Sequence, residues 1–257
     1  MPYRIIEYRN ISNIGNTERT ISMAEMITQR QLDSATNEYQ RMVEEEEERR
    51  GRTDMFLHPR NVAAARLGMA SLQAFRQVVS TPEQIDLSPA HRARLAVAMR
   101  ESKAFRDALL TDAITPGGFD DDTLFAAIVD PHEPHAAQAV EQAVQHGIED
   151  PNFQPDLQRI NHAADMLTDI AEHMLPGYRS EVHATAAYIM IVGNRREEAS
   201  QQIEKAFIDN PSNDLAGLEQ QMLDFDVTAA WAKSDSLADR PGQAPTINDD
   251  DQHARGR

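Results

Sequence analysis

The clearest pattern of hydrophobic and polar positions lies between residues 180 and 224. Residues 184–192 carry no charge, and seven of the nine are Ala, Ile, Met or Val. A bilayer span needs about 20 apolar residues, so this pattern predicts a helix that is buried on nearly all sides in a protein core. Gly193 is expected to end it, because glycine is common at helix C-termini.

Two more helices are predicted directly after this one. Asn194 and Glu197 have capping-box spacing, which makes Asn194 the expected N-cap of the first. Its apolar positions share one face, and it ends before Pro211: Ala199, Ile203, Ala206, Phe207. Asp214 is the expected N-cap of the second. Its apolar positions also recur at helical spacing: Leu215, Leu218, Met222.

Helical periodicity also covers most of the chain before residue 180. Thr28 and Gln31 have capping-box spacing ahead of an apolar stripe. Ser88 before Pro89 is typical of a helix start. Further predicted N-caps are Ser102, residues 120–122 and Asp156. The segments are an N-terminal arm (1–21), an N-terminal helical segment (22–50), a linker (51–59), a helical domain (60–233) and a disordered tail (234–257).

These patterns predict an all-α protein, either a multi-helix bundle or a short helical-repeat array. Strands do not alternate with helices, which argues against an α/β sheet. Residues 3–11 alternate loosely between apolar and polar side chains. The N-terminal arm is therefore expected to be irregular or to form a single short strand.

Composition narrows the possible functions. Lys and Arg total 25 and Asp and Glu total 42, which leaves a net charge of −17. This balance argues against nucleic-acid binding and against docking on anionic membranes. The chain has no cysteine, so disulfides and thiolate chemistry are excluded. No secretory signal or transmembrane stretch is recognisable, and the expected location is cytoplasmic.

One stripe of candidate metal ligands lies on the predicted helix 157–175. His162, Asp165, Asp169 and His173 follow one another at steps of three, four and four residues and so share a face. Imidazole and carboxylate groups bind divalent metals. However, the stripe is about 16 Å long, so only adjacent members can share an ion. A solvated face of an amphipathic helix is the favoured interpretation.

For three other clusters of polar residues, a structural role is also favoured over a binding site. Residues 130–135 (DPHEPH) favour an exposed loop over a metal site. The glutamates at positions 44–48 favour a solvated helix end over an acidic recognition tract. The basic residues of positions 92–106 are expected to pair with the acidic surplus: Arg92, Arg94, Arg100, Lys103, Arg106. Trp231 is expected to cover the core.

Two resemblances add to this interpretation. Ala199, Ile203, Ala206 and Pro211 match the second helix of a tetratricopeptide repeat, so residues 180–211 resemble a hairpin of that kind. The first helix departs from the repeat, because Ala186 and Ala187 stand where Leu-Gly is usual.

The order of segments over residues 21–223 resembles the C-terminal part of an actinobacterial family called domain of unknown function 4192. The resemblance is carried by ITQRQLD, by LSPAHRARLAVAMRESKAFRDALL and by AAYIMIVGNRREEASQQIEKAFIDNPSNDLAGLEQQML. It implies a helical fold and no reaction, and it transfers no site residues.

The sequence therefore favours a helical protein–protein interaction or scaffold module that binds a protein or peptide partner. We find no motif that indicates catalysis or a cofactor, and no residue pattern identifies the partner-binding site. The alternative is a metal-dependent enzyme that uses His162, Asp165, Asp169 and His173 together with acids from a facing helix.

Overall fold

The structure, a computed structural model, describes residues 27–50, 57–81 and 86–233. Within these ranges the chain forms ten helices, begins an eleventh at residue 230 and has no β-strand, which confirms the all-α prediction. The helices are α1 (Gln29–Arg50), α2 (Pro59–Ser80), α3 (Pro89–Glu101), α4 (Lys103–Ile114), α5 (Asp121–Val129), α6 (Pro134–Glu149), α7 (Leu157–Glu172), α8 (Ser180–Val192), α9 (Arg196–Asp209) and α10 (Asp214–Asp224).

Three expectations fall outside the described residues. They are the N-terminal arm with its short strand, the break at positions 51–56 and the tail 234–257. No described helix combines the length and the apolar character that a membrane crossing requires.

Helix α8 lies at the centre of the fold. All of its residues are buried except Glu181, as the uncharged run predicts. It packs against α3, α4, α7, α9 and α10. Small side chains in its middle (Ala184, Ala186, Ala187) are fully buried and let the neighbouring helices approach closely.

Several helix starts agree with the sequence prediction. The Thr28 amide donates to Gln31 Oε1 at 2.8 Å, which completes the capping box of α1. The other predicted caps accept a backbone N–H at the starts of α3, α4, α5 and α7: Ser88, Ser102, Asp120, Asp156.

The predicted caps of α9 and α10 are wrong. Asn194 does not cap α9; it takes a left-handed conformation with φ of 59°. There it forms a Schellman motif that ends α8, in which the Arg195 amide donates to the Met190 carbonyl at 2.8 Å. The N-cap of α10 is Asn213, whose side chain accepts the Ala216 amide, and Asp214 is the first helical residue.

One carboxylate ties α8 to α9. Asp209, the last residue of α9, accepts three backbone N–H groups around the start of α8. They belong to Gly177 at 2.7 Å and to Arg179 and Ser180 at 3.0 Å. Free amides at a helix start favour a negative charge, so Asp209 stabilises the hairpin from outside its apolar interface.

The N-terminal helix α1 packs on α2 and α3 and belongs to the same hydrophobic core. Its glutamate run is not wholly solvated, which corrects the expectation. Glu46 is only 4% exposed and pairs with Arg66 at 2.8 Å. Pro59, expected in the linker, is the first residue of α2.

Two glycines provide a matched test of packing. A Cβ on Gly68 of α2 would lie 2.5 Å from Phe105 Cζ, whereas a Cβ on Gly217 of α10 would meet nothing within 4 Å. We expect Gly68→Ala to cost about 1–3 kcal/mol through overpacking. Gly217→Ala should gain up to about 1 kcal/mol from helix propensity. Thermal unfolding followed by circular dichroism measures both, and equal shifts for the two variants would contradict the packing described.

The role of Asp209 leads to a second prediction. Asp209→Ala leaves three backbone amides without their acceptor, so we expect it to cost about 2–4 kcal/mol. Glu204→Ala, at an exposed position on the same helix, should stay within about 0.5 kcal/mol of the parent. Chemical denaturation of both variants checks this, and a cost at Asp209 no larger than at Glu204 would refute it.

Candidate interaction surface

The predicted metal ligands do not share one solvated face. Helix α7 ends at Glu172, three residues before the predicted end, and His173 is its C-cap. His173 is 7% exposed, whereas the Asp165 side chain is 60% exposed. The stripe thus runs from the surface into the core, contrary to the solvated-face interpretation.

Basic side chains already occupy the carboxylates of this stripe. Asp165 pairs with Arg195 at 2.8 Å. Asp169 lies 2.8 Å from Arg92 and 3.3 Å from His173. His162 Nδ1 is buried without a hydrogen-bond partner in the described part of the chain. No three His, Asp or Glu side chains of the described residues are placed to hold a metal ion, and the metal-enzyme alternative stays a prediction.

The groove between α7 and α9 beside this stripe is polar. Behind it, His183 Nδ1 lies 2.7 Å from Gln202 Oε1, and both residues are buried. Burial lowers the pKa of His183 to about 4, so the imidazole is neutral at physiological pH and donates to the amide oxygen. This pair stabilises the contact between α8 and α9.

The DPHEPH segment is largely the turn between α5 and α6, as expected, and its last two residues begin α6. The side chain of Glu133 accepts the Ala136 amide at 2.7 Å and is the N-cap of α6. That hydrogen bond lowers the pKa of Glu133. The acid in this cluster therefore has a local structural role.

Each member of the predicted basic group forms an ion pair, as expected. Arg92, Arg94 and Arg100 pair with Asp169, Glu38 and Glu101, respectively. Arg100 also lies over the Tyr178 ring, 4.1 Å from its centroid. Lys103 pairs with Asp214, and Arg106 bonds Glu181 and Asp107 at 2.8 Å.

A buried carboxyl group lies where α10 meets this basic group. Glu219 is fully buried, and neither of its side-chain oxygens has a hydrogen-bond partner among the described residues. Burial raises the pKa of Glu219 well above its ordinary value, although the nearby Arg106 charge lowers it. Tyr188 of α8 lies close to it, and burial together with the Glu219 charge raises the Tyr188 pKa to about 12.

The apolar side chains of α10 span a wider arc of the helix than the arc that is buried in the core. At about 100° per residue, its apolar side chains span roughly half of the helix circumference. One half of this arc faces the core and contains Leu215, Ala216 and Glu219. The other half carries Leu218, Met222 and Phe225, spaced four and three residues apart. Leu218 is 51% exposed and Phe225 is 80% exposed, while Met222 between them is partly buried.

We call Leu218, Met222 and Phe225 the α10 stripe. Other exposed large hydrophobics stand on other helices, for example Ile208 at 76% on the outer side of α9 and Phe125 at 48% on α5. The helical spacing of Leu215, Leu218 and Met222 predicts the apolar arc but does not separate its two halves, and it makes no prediction for Glu219 or Phe225. The spacing of four and three residues between Leu218, Met222 and Phe225 is visible in the sequence and predicts that they share one helix face. No sequence pattern predicts the burial of Glu219.

The end of α10 holds the stripe in place. Asp226 has a φ of 54° and forms a second Schellman motif, in which the Val227 amide donates to the Met222 carbonyl at 2.8 Å. Arg196 of α9 pairs with Asp226 at 3.0 Å and donates to the Val227 carbonyl. Trp231 is 8% exposed and donates from Nε1 to the Val192 carbonyl at 3.2 Å, which agrees with its expected place over the core.

Comparison with known proteins returns no match: neither a protein-family model, nor a curated protein, nor a solved structure matches this chain. The resemblances to domain of unknown function 4192 and to a tetratricopeptide repeat remain predictions.

Glu219 leads to a pH-dependent prediction. Because burial raises the pKa of Glu219, the folded state keeps this proton to higher pH than the unfolded chain, which releases it near the ordinary pKa of a glutamate. Rising pH above that value therefore favours unfolding of the wild type, by at most about 1.4 kcal/mol per pH unit. We expect Glu219→Gln to be more stable than the wild type at pH 8, with a difference that shrinks toward pH 4.5.

Denaturant unfolding across this pH range measures the effect, and Glu204→Gln is the exposed control without a pH-dependent difference. A Glu219→Gln variant that is destabilised equally at every pH would mean that the carboxyl group is ionised and paired in the folded protein.

Proposed function

We propose that this protein is a helical protein–protein interaction module that holds a helix of its partner against the α10 stripe. The observation that carries the proposal is the exposed half of the apolar arc on α10. Leu218 and Phe225 expose large apolar side chains on one flank of an ordered helix, and Met222 joins them. Contact between these apolar side chains and water is unfavourable, and a partner surface that covers them would remove that contact.

The spacing supports a helical partner. Apolar anchors at i, i+4 and i+7 are the pattern by which one amphipathic helix packs against another. From Leu218 to Phe225 the stripe rises about 10 Å along the helix axis, which is close to two turns of a facing helix.

The rest of the fold acts as a scaffold in this proposal. Asn213 caps the start of α10, and Arg196 binds its end. Side chains of α8 and α9 pack beneath it. A helix fixed at both ends loses little conformational entropy when a partner binds, which favours affinity.

Capture experiments with matched variants test the proposal. The tagged full chain is compared with Leu218→Ser/Phe225→Ser and with Ile208→Ser, each applied to extract of the native cell and analysed by mass spectrometry. Ile208 is the control because it is equally apolar and exposed but lies outside the stripe.

We expect a stoichiometric protein that the wild type and Ile208→Ser retain and that the double variant loses, while the wild type and both variants show the same circular dichroism spectrum. A set of captured proteins that is identical for all three chains would overturn the proposal.

A further inference from the structure

We infer that the α10 stripe takes one amphipathic helix of a different protein, with basic residues along the margin of its apolar face and a Lys or Arg at the Phe225 end. This inference rests on the proposed function and specifies the class of partner. It follows from the charges around the stripe, from the size of the stripe and from the asymmetry between its two ends.

Acidic groups border the stripe. Residues 214–226 contain three exposed acids, Asp214, Asp224 and Asp226, and neither Lys nor Arg. The carboxylates of this segment and of the cluster that contacts it outnumber the cations paired with them: Asp107, Glu181, Asp214, Asp224, Asp226 against Lys103, Arg106, Arg196. A basic margin on the partner is therefore favoured and an acidic margin is repelled.

The two ends of the stripe differ. At the start of α10, Asp214 is already paired with Lys103 and Arg106, and the hydrogen bond from Lys103 lowers the Asp214 pKa. At the other end, Asp224 accepts a hydrogen bond from Gln220 and has no ion pair among the described residues.

The Phe225 end offers two attractions to a cation. Asp226 is 91% exposed, although it contacts Arg196 at 3.0 Å. The Phe225 ring is exposed and can take a guanidinium or ammonium group on its face. An incoming Lys or Arg thus has its best site next to Phe225.

A second copy of this chain is a poorer occupant. Two copies each carrying −17 repel one another at neutral pH. A stable dimer also needs about 1,200–2,000 Å² of buried surface, which is far more than three side chains along about 10 Å of helix can supply. A single helix docked on the stripe forms an interface of the small, transient class, below about 1,200 Å².

Three synthetic helical peptides test the inference. They share one apolar stripe and carry a basic margin, an acidic margin, or a basic margin with the apolar positions scrambled. Each is labelled and titrated with the full chain, and fluorescence anisotropy is recorded at low and at physiological salt.

We expect the basic peptide to bind at least tenfold more tightly than the acidic one, with affinity that falls as salt rises. Binding should be lost with the scrambled peptide and with Leu218→Ser/Phe225→Ser, and unchanged with Ile208→Ser. Asp224→Asn/Asp226→Asn should weaken binding several-fold and flatten the salt dependence. Asn keeps the left-handed conformation accessible at position 226.

Three results would overturn the inference. One is equal affinity for the basic and acidic peptides, and another is no binding of any peptide. The third is a dimer in sedimentation that Leu218→Ser/Phe225→Ser abolishes, which would make a second copy the occupant. Capture of a partner through the stripe would still support the proposed function in the first two cases, so the two proposals can fail separately.

Discussion

The burial of α8 is the constraint on which the rest of the structure depends. A helix without a polar face must be covered on every side, and α3, α4, α7, α9 and α10 together supply that cover. Helices that meet on one central element cannot shift independently, because its interior is close-packed. The surface that we propose for a partner is therefore built on the most buried part of the chain, one helix layer away from it.

Arginine side chains form ion pairs with several carboxylates of this acidic chain. Arg106 lies among Asp107, Glu181 and Asp214, and Arg159 reaches the buried Asp112 at 2.8 Å. Arginine suits such positions because its planar group bonds several acceptors at once. The basic side chains of the middle helices are engaged in these ion pairs. The surplus carboxylates therefore lie at the surface.

The sequence predicts much of the fold because the strongest signals are local. The uncharged run of α8, the caps at Ser88 and Ser102 and the glycine at position 193 each depend on neighbours in the chain. Signals that tertiary contacts decide are less readable. Hydrophobic periodicity shows that α10 has an apolar arc, but not which half of that arc faces α8. Leu215 and Leu218 both belong to the predicted arc, yet Leu215 is buried, Leu218 is exposed and the fold turns Glu219 inward.

The Asp209 tie has a consequence for the order of folding. It joins residues about 30 positions apart, and the α8–α9 interface that it closes is similarly local. Contacts of short sequence separation lose little chain entropy on closure and form early. The α8–α9 hairpin can therefore act as a nucleus onto which α7 and α10, its neighbours in the chain, condense first. Helices α1 to α3 must come from much farther along the chain, so their docking on this nucleus is expected to be the late and slow step.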